Sequence, residues 1–313
     1  MRNLAWDDVR LVREIARSAG MAGAAAALGI DNSTVFRRLG ALEAALGTKL
    51  FERRRSGYVL TPAGEDMVRM SERFEQDIAD FSRRLEGGEI AARGEIRVAT
   101  ADSLLAFLMT DLLARFRAVY PQIILDVVIG NTALNLSRRD ADVAIRATDR
   151  PPENLVGRRI GTIAWALYGR HAEHGETADA ESRVEAGDWV VLADEMAGLN
   201  VVRWAHAHVP AERLVYKANT VLGLAAAVEA GIGIGHLPCF IGDQNRALMR
   251  LSPPEPDFSA GLWLLTHPDL RKSPRIRAFL DFMGAELQRL KPLLEGMRMA
   301  DLDSREAAEE AGA

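Results

Sequence analysis

The chain has 313 residues, 48% apolar and 27% charged, which excludes a disordered or fibrous polymer and suits two or three globular domains. Its net charge of −5 is unevenly spread: residues 1–60 carry ten Lys/Arg against six Asp/Glu, the remainder 29 against 38, so a basic head sits on an acidic body. The single cysteine, Cys239, excludes an internal disulfide and a zinc-binding thiol cluster; with no signal-peptide-like start and no membrane-length apolar run, a bacterial cytoplasm is expected.

Residues 4–17 repeat apolar positions at Leu4, Val9, Leu11, Val12 and Ile15 and predict a first helix. Residues 20–28 (GMAGAAAAL) predict a second, whose alanines permit close packing, and Gly29 stands where a left-handed cap ends it. After the tight turn Gly29-Ile30-Asp31 comes a third helix, with Asp31 as an N-cap whose carboxylate accepts first-turn amide protons. Its apolar stripe is Val35, Leu39, Leu42 and Leu46. Two helices meeting at such a turn form a helix-turn-helix, a shape shared with small helical bundles that never meet DNA.

The polar face and the following hairpin favour DNA. With the stripe buried, Asn32, Ser33, Phe36, Arg37 and Gly40 face the other way. Asn and Arg can pair with base edges in a major groove, and Ser can contact bases or phosphates. Arg53-Arg54-Arg55-Ser56-Gly57-Tyr58 predicts a basic hairpin, a wing behind a recognition helix. Asn32, Ser33, Thr34, Phe36 and Arg37 are therefore candidates for the major groove. Arg38, Arg53, Arg54 and Arg55 are candidates for phosphates or the adjacent minor groove, with pairing to Glu43 a competing fate for Arg38.

Thr61-Pro62 predicts a helix start, with Pro at the first helical position. Ala63, Met67, Met70, Phe74, Ile78, Phe81 and Leu85 then form a thin apolar seam. It runs for roughly 37 Å at the rise of an α-helix. So narrow a stripe on so long a helix suits pairing with another helix, with docking on the next domain as the alternative. Gly87-Gly88 predicts a hinge.

From Gly94 the pattern changes to strands and helices in alternation. Glu95–Thr100, Ile123–Ile129, Ala141–Arg146, Trp165–Tyr168, Trp189–Leu192, Leu214–Lys217 and Trp263–His267 read as strands. Ser103–Val119, Thr220–Ala230 and Arg275–Leu290 read as helices. This alternation predicts parallel sheets with helices on both faces. The tail from Asp301 is acidic and reads as frayed.

Several motifs carry no chemistry. Gly231-Ile232-Gly233-Ile234-Gly235 follows a helix and lacks dinucleotide spacing. The pairs His206/His208 and His171/His174 lack the carboxylate or cysteine partners of a metal site, so no metal is expected. His171-Ala172-Glu173 echoes half of a deaminase motif without the cysteine half. No nucleophile elbow occurs, and Cys239 reads as a buried structural thiol; no catalytic residue and no enzyme activity is expected.

AAALGIDNSTVFRRLGALEAALGTKLFERRRSGYVLTPAGE resembles the winged helix-turn-helix signature of the LysR-type transcriptional regulators. GEIRVATADSLLAFLMTDLLARFRAVYPQIILDVVIG resembles the start of that family's effector domain, and DADVAIR, AGIGIGHLP and LWLLTHPDLRKSPRIRAFLDF match later landmarks in order, so the resemblance spans residues 4–284. Gly20, Ala26 and Ala27 replace a capping Ser/Thr and basic residues usual there, and Asn32-Ser33 with Phe36 depart from the usual recognition pattern. Sequence preference is therefore not carried over.

The resemblance implies an α/β protein with an N-terminal all-α winged helix-turn-helix (1–61), a dimerisation helix (62–88), an effector-binding body (89–300) and an acidic tail (301–313). The body resembles a type 2 periplasmic binding protein: one subdomain of 89–162 plus 267–300, another of 163–266, with crossings near Thr162 and Thr266. Implied partners are double-stranded DNA, a second copy in a homodimer or homotetramer, RNA polymerase, and a small effector between the subdomains; no cofactor and no membrane are implied. The rival reading is a cytoplasmic solute sensor whose N-terminal helices serve only to oligomerise.

Parallel sheets hold ligands beyond the carboxyl ends of their strands. That rule nominates Thr100, Ser103, Asn131, Thr132, Arg146 and Thr148 from one subdomain and Asn200, Asn219, Thr220 and His236 from the other. Thr100 and Ser103 meet a helix start that suits an anion. Asp102 in the same turn opposes one, so the ligand's charge stays open.

Overall fold

The computed structural model describes residues 4–18, 20–54, 57–85, 92–131, 141–171 and 187–297. Arg55, Thr132, His174, the hinge glycines and the tail from Asp301 lie outside the described residues. The chain divides into two compact units, Met1–Ile90 and Ala91–Ala313. Among the described residues no helix is long and apolar enough to cross a membrane.

In the first unit, α1 (Trp6–Arg17), α2 (Met21–Leu28) and α3 (Asn32–Leu46) precede a hairpin of β1 (Phe51–Arg54) and β2 (Gly57–Leu60), followed by α4 (Pro62–Leu85). Leu11, Val12, Ile15, Ala24, Val35, Leu39, Leu42, Leu50 and Phe51 form its core. Gly29 and Gly47 cap α2 and α3 with φ of 67° and 68°, the left-handed geometry glycine tolerates best. Asp31 is the N-cap of α3, but its carboxylate makes no capping bond. The Asp31 carbonyl accepts the Thr34 and Val35 amides instead, at 2.9 and 3.1 Å. Its side chain is exposed, so water competes for it. Leu46, assigned to the buried stripe, is also exposed, because the chain turns away at Gly47.

α4 starts at Pro62 as expected, with the Thr61 hydroxyl donating to the Lys49 carbonyl (2.7 Å) and accepting the Gly64 amide (3.2 Å). A Cβ at Gly64 would run into the Leu50 carbonyl oxygen, so the helix can approach the hairpin only with glycine there. The expected seam divides. Met67 enters the core beside Ser71, whereas Met70, Phe74 and Ile78 stay exposed; the side chains of Phe81 and Leu85 lie outside the described set. Arg13 of α1 pairs with Glu75, and Trp6 meets Phe74 at 4.8 Å between ring centroids.

The second unit opens with β3 (Gly94–Thr100). Asp102–Leu104, the π-helical turn Leu105–Met109 and Thr110–Val119 then follow without a break as α5. After β4 (Ile123–Ile129) and β5 (Val143–Ala147) come β6 (Val156–Ile163), β7 (Trp165–Arg170), β8 (Trp189–Leu192), α6 (Asn200–His208), β9 (Leu214–Ala218), α7 (Val221–Glu229), β10 (Gly235–Pro238), β11 (Leu248–Arg250), β12 (Ala260–Thr266) and α8 (Pro274–Arg289). One sheet has the order β4-β3-β5-β12-β6, another β10-β7-β11, and β8 pairs with β9. A parallel bridge from Trp189 to Ile234 places β8 beside the start of β10.

The sheets are mixed, not parallel throughout. β3 runs parallel to β4 and β5, but β12 is antiparallel to both β5 and β6, and β7 is antiparallel to β10 and β11. Because β12 belongs to the first sheet, the chain returns there before Ala260, earlier than the crossing expected near Thr266.

Two side chains tie this sheet together. The Asp142 carboxylate, 3% exposed, accepts the Arg97 amide of β3 at 2.9 Å, while its carbonyl accepts the Thr266 hydroxyl of β12 at 2.7 Å. Arg275, 2% exposed, donates from Nε to the Glu95 carbonyl at 3.1 Å and thereby pins α8 to β3. The motifs DADVAIR and SPRIR thus contribute structure.

Candidate nucleic-acid interface and effector cleft

On α3 the apolar stripe turns Val35, Leu39 and Leu42 inward and leaves Asn32, Ser33, Phe36 and Arg37 exposed, with Thr34 and Arg38 half-buried. Phe36 is 62% exposed, a large apolar ring open on this face. Arg53 and Arg54 are exposed on β1, where Arg54 pairs with Glu52 at 2.8 Å. α3 and the hairpin are joined through one side chain, Glu43.

Glu43 does not pair with Arg38. It lies on the buried side of α3, 7% exposed, and accepts the Leu50 and Phe51 amides at 2.9 and 3.3 Å and the Lys49 ammonium at 2.6 Å. Burial alone would raise its pKa, but the bonds from Lys49 and the two amides outweigh it, and the carboxyl is held below its ordinary value. One carboxylate therefore fixes the start of the wing to the helix that precedes it. A glutamate in step with Leu39 and Leu42 was the sequence signal, easily passed over as one more surface charge.

In the second unit, the ends of β3, β4 and β5 come together as expected from parallel neighbours. The Gly130 amide donates to the Thr100 carbonyl (2.9 Å), the Asp102 amide to Asn131 Oδ1 (3.0 Å), the Ser103 amide to Asp102 Oδ1 (2.6 Å), and Arg146 Nη2 to the Gly130 carbonyl (3.0 Å). Burial lowers the pKa of Arg146 from the ordinary arginine value. Thr100 is 1% exposed, with its hydroxyl toward the Met109 sulfur at 3.4 Å; it is an interior residue, not a ligand-facing one. Thr148 accepts the Arg150 amide at 3.1 Å and stays in its own turn.

The residues nominated from the other subdomain fall into two groups. Thr220 caps α7 by accepting the Gly223 amide at 2.9 Å, Asn219 beside it is exposed, and α7 packs against Asp102–Leu104. Asn200 donates instead to the Asp257 carbonyl at 2.6 Å. His236 is 7% exposed among Trp189, Trp204 and Phe258, with ring centroids 5.7, 4.8 and 4.9 Å away. Burial pushes its pKa down to about 4, so at neutral pH it is an uncharged core ring and not a polar arm into the cleft. Of the nominated strand-end residues, Asn131, Arg146, Asn219 and Thr220 stay at least partly accessible, whereas Ser103, 5% exposed, is buried as Thr100 is.

The histidines of the 206/208 pair have local partners: His206 meets Asp194 at 2.8 Å and His208 stacks on Trp204 at 4.8 Å. Among the described residues, no group of three metal-ligating side chains converges.

Residues 6–65 match the family described as "Bacterial regulatory helix-turn-helix protein, lysR family", and residues 91–288 match "LysR substrate binding domain". An HTH-type transcriptional regulator from Xanthomonas campestris pv. campestris is 27% identical over 297 residues, covering 90% of this chain and 85% of that protein. The HTH-type transcriptional regulator CrgA of Neisseria meningitidis is 28% identical over 299 residues, covering 90% and 96%. The solved structure of CrgA from Neisseria meningitidis has a TM-score of 0.54 at 24% identity, covering 91% of this chain and 99% of that one. LysG of Corynebacterium glutamicum, solved with its effector arginine bound, has a TM-score of 0.60 at 19% identity, covering 91% and 99%. Two family matches that fall on the two compact units, in the same order, establish that this chain belongs to the LysR family of helix-turn-helix transcriptional regulators.

Proposed function

We propose that α3 enters the major groove of an operator with Asn32, Ser33, Thr34, Phe36 and Arg37 toward the bases, while Arg38, Arg53, Arg54 and Arg55 hold phosphates or the neighbouring minor groove. The exposed polar face of α3, held to its wing by Glu43, carries this reading. Arg37 donating to guanine contributes about 1–3 kcal/mol of base discrimination. The wing arginines act on all sequences alike and each steepen the salt dependence by roughly one unit. Gel shifts with DNA flanking the protein's own gene test the proposal. Wild type binds and Arg37→Ala/Arg53→Ala does not; absence of binding by wild type at low salt removes the reading.

The same reading assigns a small effector to the space between the subdomains, with Arg146 and Asn131 on one side and Asn219 and Thr220 on the other. Arg146 donors and the α5 start suit a carboxylate or similar anion, and Asp102 suits a ligand that also carries a donor. Binding regulates only through a difference in affinity between two arrangements of the oligomer. The exposed Met70, Phe74 and Ile78 give α4 an apolar face for a second copy, and charged substitutions at Phe74 and Ile78 yield monomers in sedimentation. DNA-bound and cytoplasmic, the oligomer acts on RNA polymerase by binding, without a resident cofactor.

A further inference from the structure

A concavity of about 580 Å³ lies at the opposite end of the five-stranded sheet from the cleft. The sheet register fixes this separation. Thr266 of β12 pairs with Val143 at the start of β5 and with Val156 at the start of β6, whereas Leu262 pairs with Ala147 at the end that faces the cleft. Four residues along a strand are about 13 Å.

The walls of this concavity are basic. Arg158, Arg271, Lys272 and Arg277 line it, with Asp281 as its one carboxylate. Asp281 faces Arg277 at 3.7 Å, while Arg158, Arg271 and Lys272 have no carboxylate in ion-pair range among the described residues. The site is held open from two sides. The Arg158 guanidinium lies across Gly284, in space a Cβ would occupy, and donates to the Leu280 carbonyl at 3.3 Å. Gly157 lets the start of β6 approach the Leu264 carbonyl, which a Cβ would block. The remaining floor is the buried pair Leu264 and Thr266.

Four cations against one carboxylate run counter to the acidic balance of residues 61–313, with 29 Lys/Arg and 38 Asp/Glu. Like charges gathered on a concave, partly apolar wall repel one another and focus a positive potential into the space between them. An anion of two or more charges relieves that repulsion, and the volume lies in the range of small-ligand sites. We propose that this concavity binds a small multivalent oxyanion, a phosphorylated or polycarboxylate metabolite, at a second site distinct from the effector cleft.

Calorimetric titration of the full chain with pyrophosphate and with citrate, at ionic strength matched with chloride, tests the proposal. Saturable binding is expected for at least one anion, weakened tenfold or more in Arg271→Gln/Lys272→Gln and retained in Arg271→Lys/Lys272→Arg. Both side chains are exposed, so neither variant disturbs the core. Pyrophosphate alone binding narrows the ligand to phosphorylated compounds, and citrate alone to polycarboxylates. The proposal falls if neither anion binds, or if the neutral pair binds as wild type does. It falls equally if binding is lost with Arg146→Gln but kept in the neutral pair, which places the anion in the cleft. Capture of non-operator duplex DNA through Arg271 and Lys272 without either small anion makes the patch a nucleic-acid contact and also overturns it. Operator binding by the neutral pair keeps this result separable from the DNA-binding reading.

Discussion

The two units bury polar anchors of the same kind and rely on them differently. In the first, Glu43 collects two backbone amides and a lysine from a span of eight residues and joins a helix to the hairpin that follows it. In the second, Asp142 and Arg275 join strands and helices 45 and 180 residues apart in the chain. The first unit has a small core with one such anchor at its wing. The second has a core that draws on all three of its sheets and on α5 to α8, including Phe116, Ile145, Val190, Leu224 and Phe279. Loss of a local anchor should therefore disturb one surface, and loss of core volume in the larger unit should lower the stability of the whole body.

The largest effect tests the second half of that contrast. Phe116 is fully buried, with Phe279 at 5.1 Å and Phe282 at 5.4 Å edge to face. Phe116→Ala is expected to cost the second unit about 3–5 kcal/mol. Denaturant unfolding of the full chain should show that loss in one transition, with the transition of the first unit unmoved; a shift of both would show that the units do not melt separately.

His236 gives the next effect, of opposite character because it depends on acid. Its folded value of about 4 lies below the ordinary histidine value near 6.5, so its contribution is complete above the unfolded value and is lost as pH falls toward 4. About 3 kcal/mol is at stake. His236→Phe keeps a ring among Trp189, Trp204 and Phe258 and should flatten the melting temperature of the second unit between pH 6.5 and 4.

The same contrast explains what the amino-acid pattern could convey. The stripe Val35, Leu39 and Leu42 and the caps Gly29 and Pro62 are local, and their period or backbone preference is visible without any partner. The strands β3 and β4 were legible for the same reason. β6 was not: Val156-Gly157-Arg158-Arg159 looks like a loop, and becomes a strand because β12 lies beside it and accepts the close approach at Gly157. β10 is four buried residues ending in proline, too short and too uniform for a period of two. Strand direction was likewise invisible, since alternation reports burial and not orientation. Among the strand-end candidates, the rule brought the turns of Ser103, Asn131 and Arg146 together, but it could not tell that the side chains of Thr100, Ser103 and His236 are buried.

Glu43→Gln tests the local anchor. A neutral amide can still accept one backbone bond but loses the charge that draws Lys49 and both amides, at a cost of about 1–3 kcal/mol in the first unit. The folded carboxyl lies below its ordinary value, so its contribution is present above the unfolded value near 4.3 and is lost as pH falls through the folded one. The variant should remove that acid step, weaken DNA binding by loosening the wing, and leave the unfolding of the second unit unchanged.

The smallest effect probes whether the second unit also has purely local anchors. Thr220 caps α7 through one bond to the Gly223 amide, and Gly223 carries no side chain to shield that amide once the hydroxyl is gone. Thr220→Ala should cost about 1 kcal/mol. Thr220→Ser restores an oxygen acceptor in the same place and should recover most of it, whereas a direct ligand contact would make the alanine variant lose effector affinity beyond that stability loss. Thermal melts without ligand, set beside titrations with a carboxylate that protects the wild type, separate the two: equal affinity in the alanine variant makes Thr220 a cap and nothing more.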